Sequence, residues 1–142
     1  MDASTGRLLE FASAHPALAA SAAVLIAAIA ATELKRATRR WRELSPFEFT
    51  QLVNAGALLL DLRDDKSYRS GHIAGARAVA LDGLDAAVAD QAKEAQVVAY
   101  CESGADSGKA ADRLVAAGYA KVATLKGGLA NWRADNLPLA KG

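Results

Sequence analysis

One cysteine, Cys101, stands in a chain of 142 residues. Alone it makes neither an internal disulfide nor a CxxC redox pair, and it cannot build a Cys-rich zinc site. Two histidines and few clustered acids leave little for any metal. A single cysteine can still act as a thiolate, which is both a nucleophile and a carrier of sulfur. The residues before it, Gln96-Val97-Val98-Ala99-Tyr100, form a largely apolar run suited to a strand buried on both faces. Glu102, Ser103, Gly104, Ala105, Asp106 and Ser107 follow as a short polar loop, ahead of a helix expected over 108–117. The cysteine is therefore expected at the carboxyl end of a strand, where open α/β sheets form their binding crevice. A glycine-containing loop entering a helix aims several backbone N–H groups at one point; this makes an anion nest and favours thiolate over thiol. Position alone leaves an inert buried cysteine as open as a reactive one.

The elements that must position this loop read as strands alternating with helices. Ser45-Pro46-Phe47-Glu48 is a capping box with proline at the first helical position, and predicts a helix to about Val53. Strands are expected over 57–60, 78–81, 96–100 and 121–125. Between them fall a short polar helix over 64–70, a turn region over 71–75 and a helix over 82–95 capped by Asp82. Gly127-Gly128 turns the chain into a last helix over 129–134. This alternation predicts an α/β domain with a largely parallel sheet. Asp61 and Arg63, at a strand end, are expected to brace the loops by ion pairing. His72 reads as a packing residue rather than a general base, and Trp132 as core.

The rest of the chain is different in kind. From Phe11 to Thr32 there is no charge, and eleven of those 22 residues are alanine. As a helix the run reaches about 33 Å, enough for a hydrocarbon core of about 30 Å. A membrane anchor, a cleaved signal peptide and an Ala-rich soluble helix all fit that length. Lys35, Arg36, Arg39, Arg40 and Arg42 stand just behind it, with only Arg7 as a cation in front. That flank opposes export and favours an uncleaved anchor with its basic side in the cytoplasm. The expected organisation is a tail over 1–10, an anchor over 11–34, a basic juxtamembrane linker over 35–44 and a globular domain over 45–142. Trp41, within the linker, reads as an interfacial aromatic. The chain as a whole carries net charge +1, which argues against nucleic-acid binding.

Leu60-Asp61-Leu62-Arg63, Tyr68 and Gly71-His72-Ile73-Ala74-Gly75-Ala76 resemble the "D-x-R … G-H-I-x-G-A" signature of rhodanese-like domains. Cys101, Gly104 and Ser107 resemble the family's C-x-x-G-x-x-S active loop. Leu125-Lys126-Gly127-Gly128, Trp132 and Leu137-Pro138 resemble its closing "L-x-G-G … W … L-P". An anchor before one such domain is similar to membrane-anchored bacterial rhodanese-like proteins.

The resemblance implies a central parallel sheet flanked by helices, and sulfurtransferase chemistry with Cys101 as the catalytic residue. Cys101 would take a sulfane sulfur, becoming a persulfide held by loop N–H groups, and pass it to a thiol or protein acceptor. A six-residue loop counted from the cysteine, here Cys101–Asp106, goes with sulfur substrates in this family; a seven-residue loop goes with phosphatase or arsenate chemistry. The resemblance implies no metal and no organic cofactor. The loop lacks the Arg or Lys of many active members and carries Glu102 and Asp106 instead. Two carboxylates near a thiolate oppose its ionisation and repel thiosulfate, so weak thiosulfate activity is expected, with a protein persulfide or small polysulfide as the favoured donor. The alternatives are a non-catalytic module that recruits a partner to the membrane, favoured by the acidic loop, and a thiol redox sensor. The expected location is the inner membrane, N-terminus out, with residues 11–34 in the bilayer and the domain in the cytoplasm.

Overall fold

The computed structural model describes residues 3–142, and the chain divides into two compact units that meet between Arg39 and Arg40.

The first unit is helical. Helix α1 spans Ala3–Ala14 and α2 spans Pro16–Ala37. The expected tail over 1–10 is thus helical from residue 3, where helix formers such as Arg7, Leu8, Leu9 and Glu10 accumulate; residues 1 and 2 of that tail lie outside the described residues. The expected anchor helix does not start at residue 11. Proline lacks the N–H that would continue α1, so the chain breaks at His15 and restarts with Pro16 in the first turn of α2. The restarted helix ends at Ala37, and the Thr38 N–H donates to the Leu34 carbonyl at 3.1 Å. At 22 residues, α2 is long and apolar enough to cross a membrane, and none of its residues is buried.

The second unit is an α/β fold, a parallel sheet covered by helices on both faces. In chain order it comprises β1 (Arg42–Leu44), α3 (Pro46–Asn54), β2 (Leu58–Asp61), α4 (Asp65–Ser70), β3 (Arg77–Ala78), a single 3₁₀ turn at Leu81–Gly83, α5 (Leu84–Ala87), β4 (Gln96–Tyr100), α6 (Ala105–Ala116), β5 (Lys121–Leu125) and α7 (Gly128–Ala134). The strands lie in the order β1-β5-β4-β2-β3, every pair parallel. One face packs Leu60, Val97, Ala99 and Val122 against Ala110, Ala111 and Leu114 of α6. The other packs Leu59, Val98, Ala123 and Leu125 against Phe49 of α3 and Leu129 and Trp132 of α7. The Trp132 indole N–H donates to the Pro138 carbonyl at 3.0 Å. The capping box of α3 is complete, with Ser45 and Glu48 each accepting from the other's backbone N–H.

Two expectations are corrected. The helix expected over 82–95 stops at Ala87, because after Leu84 and Val88 the sequence offers no further apolar face to bury. The stretch beyond is held instead by the Tyr119 hydroxyl, which donates to the Val88 carbonyl at 2.6 Å, and by the Ala120 N–H on the Lys93 carbonyl at 3.0 Å. The globular unit also begins earlier than Ser45. Arg42–Leu44 pairs with β5, and Trp41 is a core residue, 6% exposed, whose indole N–H donates to Asp112 Oδ1 at 2.7 Å. Trp41 is therefore not an interfacial aromatic, and the expected linker over 35–44 reduces to Thr38, Arg39 and Arg40 between α2 and Trp41.

Candidate active site

Strand alternation decides which way the cysteine faces. Val97, Ala99 and Cys101 join the core beneath α6, while Val98 and Tyr100 face the opposite side. Gly104 then turns the chain with φ 101°, a left-handed conformation that glycine adopts without a Cβ penalty. Helix α6 starts at Ala105, three residues before the expected start, so Asp106 and Ser107 belong to its first turn rather than to a loop. The first amides of a helix have no intrahelical acceptor. Here they find the sulfur: the Gly104 N–H donates to Cys101 Sγ at 3.0 Å and the Ser107 N–H at 3.4 Å. The Ser107 hydroxyl lies 3.5 Å from Sγ and donates to the Gly104 carbonyl at 3.2 Å. Cys101 Sγ thus sits at the positive end of a 12-residue helix.

A second helix start holds the loop from behind. The Leu129 N–H donates to the Cys101 carbonyl at 2.8 Å and the Ala130 N–H to the Glu102 carbonyl at 3.1 Å. Only glycine fits at position 128. A Cβ there would lie 2.5 Å from the Glu102 oxygen and 2.6 Å from the Cys101 oxygen, on a backbone with φ 65°.

A cleft of about 460 Å³ opens over Cys101. Of the residues expected to bind substrate, Glu102, Ser103 and Asp106 line it. Gly104 and Ser107 act through their N–H groups on Sγ, and Ala105 is exposed and contacts neither. The opposite wall is Leu62, Arg63, Asp64 and Ser67. Leu62, Asp64 and Ser67 were not foreseen; their signal was adjacency to the Asp61 strand end, but the β2–β4 neighbourhood that brings them to the cysteine is a property of the sheet order. Asp64 caps α4, accepting from the Ser67 N–H at 2.9 Å, and these hydrogen bonds hold its carboxyl below the usual value.

Asp61 and Arg63 form an ion pair beneath this wall. Arg63 Nη2 donates to Asp61 Oδ2 at 2.8 Å and to the Gly71 carbonyl at 2.6 Å. Burial opposes the charge on Arg63, but the hydrogen bonds and charge of Asp61 outweigh it and raise its pKa. Burial likewise pushes the Tyr100 phenol far above its ordinary value, and the Asp61 carboxylate adds to the shift. His72 packs as expected of a structural residue: its ring stacks on Tyr68, centroids 3.9 Å apart, and Nδ1 donates to the Tyr68 carbonyl at 2.9 Å.

The two carboxylates expected to oppose a thiolate each have a cation beside them. Glu102 pairs with Arg133 of α7 and lies 3.6 Å from Arg63 Nη1. Asp106 lies 3.4 Å from Lys109. Arg133 is a site residue that sequence reasoning missed, because 31 positions separate it from Glu102.

The model of the rhodanese-like domain matches residues 45–135. The chain belongs to the rhodanese-like domain family. Among curated relatives, the Escherichia coli protein YibN is 32% identical over 139 residues, 95% of this chain and 97% of that protein, so the likeness extends across the N-terminal helices. The thiosulfate sulfurtransferase GlpE of Ectopseudomonas mendocina is 32% identical over 94 residues, 66% of this chain and 86% of that enzyme. A solution structure of a rhodanese-like domain from Anabaena superposes with TM-score 0.62 at 29% identity, covering 70% of this chain and 79% of that one. Within this rhodanese-like domain, the C-x-x-G-x-x-S residues are those that build the cradle around Sγ, and the closing Gly-Gly pair lets α7 reach the loop.

Proposed function

We propose that this rhodanese-like domain transfers sulfane sulfur through a persulfide on Cys101. The observation that carries the reading is the pair of amides, Gly104 and Ser107, aimed at Sγ at the floor of the cleft. N–H groups that hold a thiolate equally hold the terminal sulfur anion of a persulfide. The likeness to GlpE supports thiosulfate as a donor of the right class. The Cys101 thiolate attacks the outer sulfur of the donor. The donor's S–S bond breaks, sulfite leaves with the electron pair, and Cys101 keeps the sulfur as an anionic persulfide. An acceptor thiolate then attacks that terminal sulfur and takes it, returning Cys101 as thiolate.

The reading includes a membrane tether: α2 crosses the inner membrane with the N-terminus outside and the domain in the cytoplasm. Its support is the apolar length of α2 and the basic residues that follow. A reporter fused after Gly142 that is active only in an exported compartment would overturn this topology.

The sulfur chemistry is tested on the full chain in detergent, incubated with thiosulfate, a protein persulfide or a polysulfide and read by intact mass. A gain of about 32 Da, one sulfur atom, is expected on the parent and absent from Cys101→Ser. Cyanide should remove it. No adduct from any of these donors would overturn the reading in favour of a partner-recruiting module.

A further inference from the structure

Among the described residues, Arg63 Nη1 is the one buried side-chain nitrogen or oxygen without a hydrogen-bond partner. The rest of the guanidinium is fully engaged. Nε donates to Asp61 Oδ1 at 3.1 Å, and Nη2 is shared between Asp61 and the Gly71 carbonyl. The side chain is 4% exposed and cannot turn to satisfy its free edge elsewhere. That edge belongs to a residue lining the Cys101 cleft, and what stands before it is Glu102 Oε2 at 3.6 Å, beyond hydrogen-bond distance. Glu102 is half-exposed, and its other oxygen is drawn away by Arg133. A charged double donor is thus fixed at the wall of the cleft, covered by a half-exposed carboxylate that does not hydrogen-bond it.

We infer that Arg63 Nη1 is the oxyanion contact of this cleft, taking the charged end of a sulfane-sulfur donor, and that Glu102 is its cover, held off by Arg133. The donor assignment rests on the sulfur-transfer reading; the oxyanion contact does not. Glu102 and the ligand compete for one edge of one guanidinium. Removing the Glu102 charge strengthens oxyanion binding, and removing Arg133 lets Glu102 close on Arg63 and weakens it.

The test uses the full chain in an uncharged detergent, with sulfate as an inert oxyanion probe and chloride holding ionic strength constant. The readout is the rate at which iodoacetamide, an uncharged reagent, alkylates Cys101, followed by intact mass. Sulfate should slow alkylation of the parent. Glu102→Gln should reach half-protection at about tenfold lower sulfate, a change of about 1.4 kcal/mol in binding; Arg133→Met should need more sulfate than the parent. Asp106→Asn is the comparison, since Asp106 is another exposed carboxylate of the mouth, on the same loop-to-helix segment as Glu102, and pairs with Lys109 instead. An unchanged half-protection in Glu102→Gln would overturn the proposal. So would equal strengthening by Asp106→Asn, which would make general mouth charge the cause, or an absence of protection by sulfate in both parent and Glu102→Gln. Persulfide formation is scored separately. Sulfate protection with no sulfur adduct sinks the sulfur-transfer reading alone, and an adduct with protection indifferent to Glu102 sinks the Arg63 contact alone.

Discussion

Substituting Gly128 by alanine separates the positioning of the active loop from its chemistry. The added Cβ would meet the Glu102 and Cys101 carbonyl oxygens at 2.5 and 2.6 Å and the Glu102 carbon at 2.7 Å. Those are backbone atoms, with no side chain to swing aside, so they must retreat by about 0.9 Å to reach an ordinary 3.4 Å contact. The retreat stretches the bonds from the Leu129 and Ala130 N–H groups that hold the loop. Two weakened hydrogen bonds cost about 1 kcal/mol each. The left-handed backbone, φ 65°, costs a non-glycine residue about 1–2 kcal/mol more. The expected loss of stability is about 3–4 kcal/mol. A misplacement near 1 Å is worth about 100-fold in rate, so persulfide formation on Cys101 should fall by about that factor while circular dichroism shows the fold kept. Gly118→Ala is the control. It imposes the same handedness, φ 98°, with only Lys93 Cδ as near as 4.0 Å. It should lower the melting temperature and leave the rate of persulfide formation unchanged. A Gly128→Ala protein with the parental rate, or a Gly118→Ala protein as slow as Gly128→Ala, would refute the reasoning.

Trp41→Ala should destabilise the globular unit by about 3–5 kcal/mol, the usual cost of emptying a buried tryptophan site; a loss below about 1 kcal/mol in the urea midpoint would show that the domain starts after Trp41. Tyr100→Phe leaves the buried Ile73 N–H without the phenol oxygen it donates to at 3.0 Å, at a cost of about 1–3 kcal/mol near neutral pH. Because the folded phenol titrates far above its ordinary value of 10.0, the unfolded chain releases that proton first as pH rises. The stability that Tyr100 adds is therefore present below pH 10.0 and lost above it, by about 1.4 kcal/mol per pH unit. The gap between parent and Tyr100→Phe should close above that pH, and a constant gap in alkaline melts would contradict the assignment.

Strands β4 and β5 were legible to the residue, because each is a five-residue, largely apolar run, too short for a helix, with β-branched residues and turn residues at its ends. The capping box at Ser45 likewise fixed the start of α3. Strand β1 was not legible: Arg42-Glu43-Leu44 has one apolar residue, and only pairing with β5 makes it a strand. Trp41 was misplaced for the same reason, since a tryptophan after a basic run looks interfacial until Asp112, 71 positions away, is seen to take its N–H. At the site, Cys101, Gly104 and Ser107 could be named from the resemblance to a rhodanese-like active loop, because that motif is local. The far wall of the cleft could not, since it depends on β2 lying beside β4. The α6 start was misjudged because Gly108, a poor helix residue, looked like the boundary; Gly104 supplies the turn instead, and Gly108 packs in the helix within about 3.7 Å of Trp41.

The loop charges show how much residue type without geometry leaves out. Read in sequence, Glu102 and Asp106 count as two negative charges beside a sulfur anion. In the fold, each stands against a cation, and the groups that face Sγ are backbone amides. Amides carry no net charge, so their hold on an anion depends on aim, and aim here comes from two helix starts in series. The first amides of α6 point at the sulfur, and those of α7 fix the carbonyls of the loop that carries it. This construction needs glycine at both joints, Gly104 to turn into α6 and Gly128 to let α7 approach. On the proposed reading it would also let a nearly neutral domain hold a sulfur anion without a cationic side chain in its loop. On the same reading, the buried cation near the cysteine, Arg63, would take the other end of the donor.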